Sequence, residues 1–233
     1  MPLAGHGLHP PALRRRASRP QLKRDPLGGV RTSCPPHVLT ATKVTDEINL
    51  WRSLTYHDPV TILKRLRALE VQLAGVEMDE RVRRLRTPGL KTYREARDAA
   101  LFVYGMGLAK GVAMAYTPFE RSDYDFVATW TEGTTQHFCP VQLKELVPAD
   151  LNPGASIEEL LGKLSSPRPK SSTVLDIKLN RRGKLELQNL KFPSMPYAQA
   201  WLFYATSPHG NRWSLFGNGL DNPGYFPYSY PGS

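Results

Sequence analysis

The sequence predicts an α/β fold, and three observations predict it: helical stripes before residue 116, a hairpin rich in aromatic and β-branched residues between 122 and 146, and further short apolar strands after it. At 233 residues, with 40% of them hydrophobic, the chain is long enough for one domain with a core of its own and a tail.

Residues 1–45 read as a basic leader. They hold eight Lys or Arg against Asp25 alone, and so carry +7 of the formal net charge of +10. A stretch this rich in Pro and Arg is expected to be disordered and suits loose contact with a polyanion. Residues 46–90 read as a helical segment. Asp58 is a good N-cap, Pro59 a good first helical residue, and Val60, Leu63, Leu66 and Leu73 form a stripe ending near Gly75. A short basic helix from Met78 to Leu85 is stopped by Thr87-Pro88-Gly89. Its Arg81, Arg83, Arg84 and the following Arg86, together with Arg121 further on, are candidates for phosphate contact; a solvated helical face is the more usual explanation for the helix arginines.

Residues 91–220 read as the α/β domain. Thr92-Tyr93-Arg94-Glu95 has the form of a capping box, opening a helix through Phe102 and Met106 to about Tyr116. Gly105, Gly107 and Gly111 cost that helix stability but let it lie close on a sheet. The hairpin pairs 122–130 with 138–146 around a turn. Ser156 caps a helix from Ile157 to Leu164, and 172–179 with 184–190 suggest a second strand pair about Arg181-Arg182-Gly183. Ala200 to Thr206 and Arg212 to Phe216 read as strands, and 221–233 as an irregular tail.

No apolar run reaches the roughly 18 residues of a membrane span, and the leader lacks the apolar core of a secretory signal. A soluble, cytoplasmic protein without membrane partners is expected. Two cysteines, Cys34 and Cys139, supply neither a disulfide framework nor a zinc site, and the six histidines show no ligand spacing.

The polar residues of the hairpin are oddly placed. Side chains alternate along a strand, so Gln142 and Lys144 point the same way, and Asp125 stands at the mouth of the neighbouring strand where it can meet them. Burying each such group unpaired costs roughly 1 to 3 kcal/mol, so a role in chemistry becomes worth weighing. Glu95 either closes its helix cap or reaches towards Asp125.

A helix opening with Glu95, a hairpin carrying Asp125 and Gln142-Leu143-Lys144, a helix and further strands together resemble the PD-(D/E)xK, or restriction-endonuclease-like, nucleases over Tyr93 to Leu179. The resemblance implies an αβββαβ core, a mixed sheet flanked by helices, and hydrolysis of phosphodiesters in DNA by a metal-dependent endonuclease. It implies Asp125 as principal ligand of Mg²⁺ (or Mn²⁺), with Gln142, the Leu143 carbonyl and Glu95 beside it, and Lys144 orienting the attacking water. The Glu…Asp…QxK set is similar to that of the DNA-cleaving subunit of heteromeric bacterial transposases. Two departures stand out: Tyr124 where the motif has Pro, and Gln142 where it has an acid. The second leaves open a module of the same fold that binds nucleic acid, DNA or RNA, or a protein partner without cleaving. Two-strand cleavage would ask for two sites, as in a homodimer. A rival triplet, Asp176-Ile177-Lys178, has the more regular spelling but no hairpin acid to join it.

Overall fold

The computed structural model describes residues 41–83, 85–167, 171–181 and 185–232. The leader expected over 1–45 lies outside them as far as residue 40. Helix α1 (Ala41–Arg52) begins inside its last residues.

A seven-stranded mixed sheet runs in chain order from β1 to β7. β1 (Met114–Thr117), β2 (Phe126–Glu132) and β3 (Thr135–Leu146) are antiparallel neighbours. β4 (Val174–Leu179) lies parallel to β3, and β5 (Gln199–Ala205) parallel to β4. β6 (Arg212–Gly217) and β7 (Gly224–Ser229) close the sheet as antiparallel additions.

The helices follow from local sequence. In α2 (Pro59–Leu73) Asp58 caps through both carboxylate oxygens, which accept the N–H groups of Val60 and Thr61, as the sequence predicts. The basic helix contracts to one turn, α3 (Glu80–Arg83). α4 (Lys91–Lys110) is not opened by a capping box: a 3₁₀ turn at Pro88–Leu90 leads straight into it, and Leu90 holds the cap position with no side-chain bond. Gly111 then stops it at a left-handed φ of 69°, so that it ends at Lys110 and not near the expected Tyr116. Residues expected to continue the helix instead form β1, because a glycine at positive φ ends the α-helix and frees the following residues to pair with β2. α5 (Ile157–Leu164) starts and stops where predicted, with Ser156 Oγ accepting the Glu159 N–H. It is the crossover that parallel pairing of β3 with β4 requires.

Each face of the sheet is covered. α4 lies on one, where Leu101, Phe102 and Val103 meet Phe126, Val141, Trp201 and Leu215. α5 lies on the other, where Ile157 and Leu161 meet Leu146, Leu175, Ile177 and Leu202. β4, buried on both faces, shows the continuous apolar composition of a central parallel strand, interrupted only by Asp176 and Lys178. α1 adds a smaller cluster, with Trp51 against Tyr124 and Val127.

Two expectations are corrected here. Residues 185–190 do not pair with β4; they carry a 3₁₀ turn (Leu187–Asn189), and β4 finds β3 and β5 as neighbours instead. The expected C-terminal coil contains β7, and its tyrosines tie the chain end to the helices: Tyr228 Oη donates to the Leu101 carbonyl at 3.0 Å and Tyr230 Oη to that of Leu63 at 2.8 Å.

Gly105 is where α4 touches the sheet most closely, since a Cβ there would lie 2.7 Å from Tyr228 Cε1 and 3.0 Å from Leu215 Cδ1. Gly105→Ala is therefore expected to destabilise by about 1 to 3 kcal/mol through overpacking. Gly162→Ala, in α5 with open space around it, is expected to stabilise by about 0.5 to 1 kcal/mol. Urea denaturation of the two variants beside the parent checks both signs.

Candidate active site

The loop between Glu132 and Thr135 is two residues long, and it sets Phe126 opposite Val141. Asp125, one residue before β2, then stands against the last third of β3. Its N–H donates to the Val141 carbonyl at 2.8 Å. Its carboxylate turns along β3, where Oδ2 accepts the Leu143 N–H at 2.6 Å and the Gln142 side-chain amide at 2.5 Å. Asp125 Oδ1 carries no hydrogen bond among the described residues.

Faces follow from packing. Val141 and Leu143 belong to the core under α4, and Leu146 to the core under α5, so Gln142 and Lys144 share the α5 side. Lys144 stands two residues beyond Gln142, a rise of about 7 Å. It is half-buried and makes no hydrogen bond or ion pair among the described residues. Tyr197, on the segment leading into β5, belongs to the same neighbourhood: burial first, and the Asp125 charge second, push its hydroxyl above the usual range. Nothing in the sequence around Tyr197 signals that position.

Tyr124, where the resemblance expects Pro, is buried and anchored. Trp51 Nε1 donates to its hydroxyl at 3.1 Å, and the two rings meet edge to face at 6.1 Å. Helix α1 thus holds the residue next to Asp125.

Glu95 reaches the same end of the sheet but not this group. The neighbouring Ala96 carbonyl accepts the Tyr116 hydroxyl at 2.9 Å, while the Glu95 carboxylate lies 3.4 Å from Lys91 Nζ, one turn back on its own helix, and stays 39% exposed. Arg121 is exposed four residues before Asp125, its guanidinium 4.9 Å from the centre of the Phe119 ring. Arg81 is exposed on α3; Arg84 and the side chain of Arg83 lie outside the described residues.

The donor set can be tested against a divalent cation. Among the described residues no group of three or more His, Cys, Asp or Glu is placed to hold a metal. What remains is one carboxylate oxygen, one amide oxygen and the Leu143 carbonyl. That set fits an ion such as Mg²⁺, which keeps several waters and takes one or two carboxylates together with substrate phosphate oxygens. The Gln142 amide faces Asp125 with its nitrogen, so offering its oxygen requires the amide to turn over and give up that bond.

The rival triplet lies on the other face. Lys178 Nζ meets Asp98 Oδ1 of α4 at 2.6 Å, both side chains about 5% exposed or less. Sequence reasoning assigned this triplet no acid, because the acid arrives from a helix 80 residues earlier. Asp176 is fully buried, and neither of its carboxylate oxygens has a hydrogen-bond partner among the described residues. Burial foremost, then the Asp98 charge, holds its carboxyl well above the usual range, against the pull of Lys178. Glu145, on the same face, is clasped by the Arg86 guanidinium and the Asn180 amide. Asp98, Lys178 and Glu145 are thus each held by a close partner within the fold.

Compared with known proteins, the chain matches no family model, no curated protein and no solved structure at a significant level.

Because burial raises the pKa of Asp176 in the folded state, its contribution to stability is fully present below the ordinary carboxylate value of about pH 4 and is lost as the pH rises from there through the raised folded value. Asp176→Leu is expected to raise the urea midpoint at pH 7 relative to the parent by more than at pH 3. An equal change at both pH values would show that ionisation of Asp176 is not the cause.

Proposed function

We propose that the chain is a metal-dependent nuclease that hydrolyses phosphodiester bonds in DNA, with Asp125, Gln142 and Lys144 at its centre on a restriction-endonuclease-like core. The observation that carries this reading is the meeting of the Asp125 carboxylate with Gln142 and Leu143 while Lys144 stands unpaired on the same face. The chain order supports it too. Helix α4, three antiparallel strands, the crossover α5 and a fourth strand parallel to β3 make up the αβββαβ order that the resemblance implies.

In this reading the Asp125 carboxylate, the Gln142 amide oxygen and the Leu143 carbonyl would hold Mg²⁺ or Mn²⁺. The bound ion would neutralise charge growing on the phosphate and lower the pKa of a bound water. Lys144 places a cation beside the attacking water and the phosphate oxygens, where it orients the water and stabilises developing negative charge. The Leu143 N–H and the β2 register hold the Asp125 carboxylate in place. Arg121, exposed just upstream, is placed to meet a flanking phosphate.

A second reading has its own observation. Gln142 already satisfies Asp125 by a hydrogen bond, and no second carboxylate joins them among the described residues. A module of this fold that binds nucleic acid without cutting it would look the same.

Incubation of supercoiled plasmid with Mg²⁺ or Mn²⁺ separates the two. Nicking is expected from the parent and a loss of about 100-fold or more from Asp125→Ala and from Lys144→Ala. Gln142→Glu, which restores a second carboxylate, is expected to lower the Mg²⁺ concentration at half-maximal cleavage. Cleavage that survives both alanine substitutions would remove these residues from the mechanism. Steeply salt-dependent DNA binding without cleavage would favour the binding module.

A further inference from the structure

We infer that the α4 face of the sheet carries a second site, separate from Asp125, that binds the phosphoryl group of a mononucleotide-sized ligand. A cavity of about 1120 Å³ opens there over the ends of β4 and β5. It is somewhat larger than the roughly 300 to 1000 Å³ of small-molecule pockets, and far larger than a bare phosphate needs.

Its cations outnumber the carboxylates that serve them. Glu70 is shared between Arg67, which donates to it at 2.9 Å, and Arg97, which stands 3.7 Å away. Asp98 is shared between Lys178 at 2.6 Å and Arg97 at 3.7 Å. Arg181 directs its donors to the backbone carbonyls of Val147, Asn152 and Ala155 and to no carboxylate. Arg97 is thus the cation held least closely, by two ion pairs of 3.7 Å. Its side chain is 21% exposed on the cavity wall, flanked by two acids already claimed by closer partners. Among the described residues its guanidinium makes no direct hydrogen bond. A half-buried guanidinium with its fork of donors unspent matches a phosphate's paired oxygens, and such charge-assisted bonds are about twice as strong as neutral ones.

The rest of the wall is closed. Trp213 and Tyr230 bound it with ring edges, 9% and 4% exposed; Phe203 stacks on Trp213, and their own polar atoms are directed to the carbonyls of Gly210 and Leu63. Arg67 lies 4.3 Å over the Tyr230 ring and fixes that side of the cavity.

The site needs no divalent metal, and this separates it from the proposed nuclease centre. Isothermal titration of the full chain in EDTA with AMP, adenosine and inorganic phosphate tests it. AMP is expected to bind, adenosine far more weakly, and Lys144→Ala to leave AMP binding unchanged. Arg97→Gln is expected to weaken AMP on the order of tenfold or more. Arg97→Lys, which keeps the charge and loses the fork, is expected to weaken it too and serves should the glutamine variant not fold. No binding of AMP at millimolar concentration, equal binding of adenosine, or full affinity in a folded Arg97 variant would each overturn the site. Plasmid cleavage, present or absent, bears on the other face alone.

Discussion

The registration of β2 against β3 is the constraint on which the candidate active site depends. A two-residue loop at Gly133 and Thr134 fixes Phe126 opposite Val141, and the strand period of two then decides every face that follows. Shifted by one residue, Gln142 would turn under α4 and Leu143 outward, and the Asp125 carboxylate would meet an apolar side chain. Gly133 takes a φ of 61°, which lets so short a loop close without strain. The core enforces the same register. Phe126 and Val141 are 2% and 1% exposed, so slippage would uncover both.

The same alternation gives one sheet two chemistries. From β3, Gln142 and Lys144 go to the α5 side, partly exposed and lightly committed. Leu143 and Glu145 go to the α4 side, where Glu145 is clasped by Arg86 and Asn180. β4 repeats the division one strand over. Its Leu175 and Ile177 build the α5 core, while Asp176 and Lys178 enter the α4 side among buried charges. Desolvation separates the two sets. Burial raises the pKa of the acid, and the amine is kept against Asp98, which makes them costly to redirect toward a substrate. A side chain at intermediate exposure with no partner among the described residues, such as Lys144, keeps its donors available.

What the sequence revealed follows the reach of each signal. Asp58-Pro59, Ser156 and the apolar run Val174 to Leu179 act within a few residues, and α2, α5 and β4 stand where those signals put them. The pairing of Asp125 with Gln142 was legible because a hairpin converts a separation of 17 residues into a neighbour relation. β1 was hidden because Met114-Ala115-Tyr116 continues the composition of α4, and only the left-handed Gly111 separates them. β7 was hidden among Gly, Pro and Tyr residues that read as coil, yet antiparallel pairing with β6 makes a strand of them. Asp98 with Lys178, Trp51 with Tyr124 and Tyr197 beside Asp125 join distant segments, and no local pattern announces such contacts.

Gln142 carries the remaining argument. Were it a glutamate, two carboxylates would stand within hydrogen-bond distance at this sheet end with only one backbone N–H between them, and like charges so close destabilise the unloaded state. As an amide it bonds Asp125 directly, so the polar group is satisfied without a cation and the strands hold their geometry alone. Any ion seated here must then compete with that hydrogen bond, whereas a paired-acid site is relieved of repulsion when loaded. A single carboxylate attracts the ion less strongly, so phosphate oxygens and retained waters would supply more of its ligation. Ion and phosphodiester would consequently enter together, and Lys144 would face the charge of the phosphate in place of that of a second carboxylate.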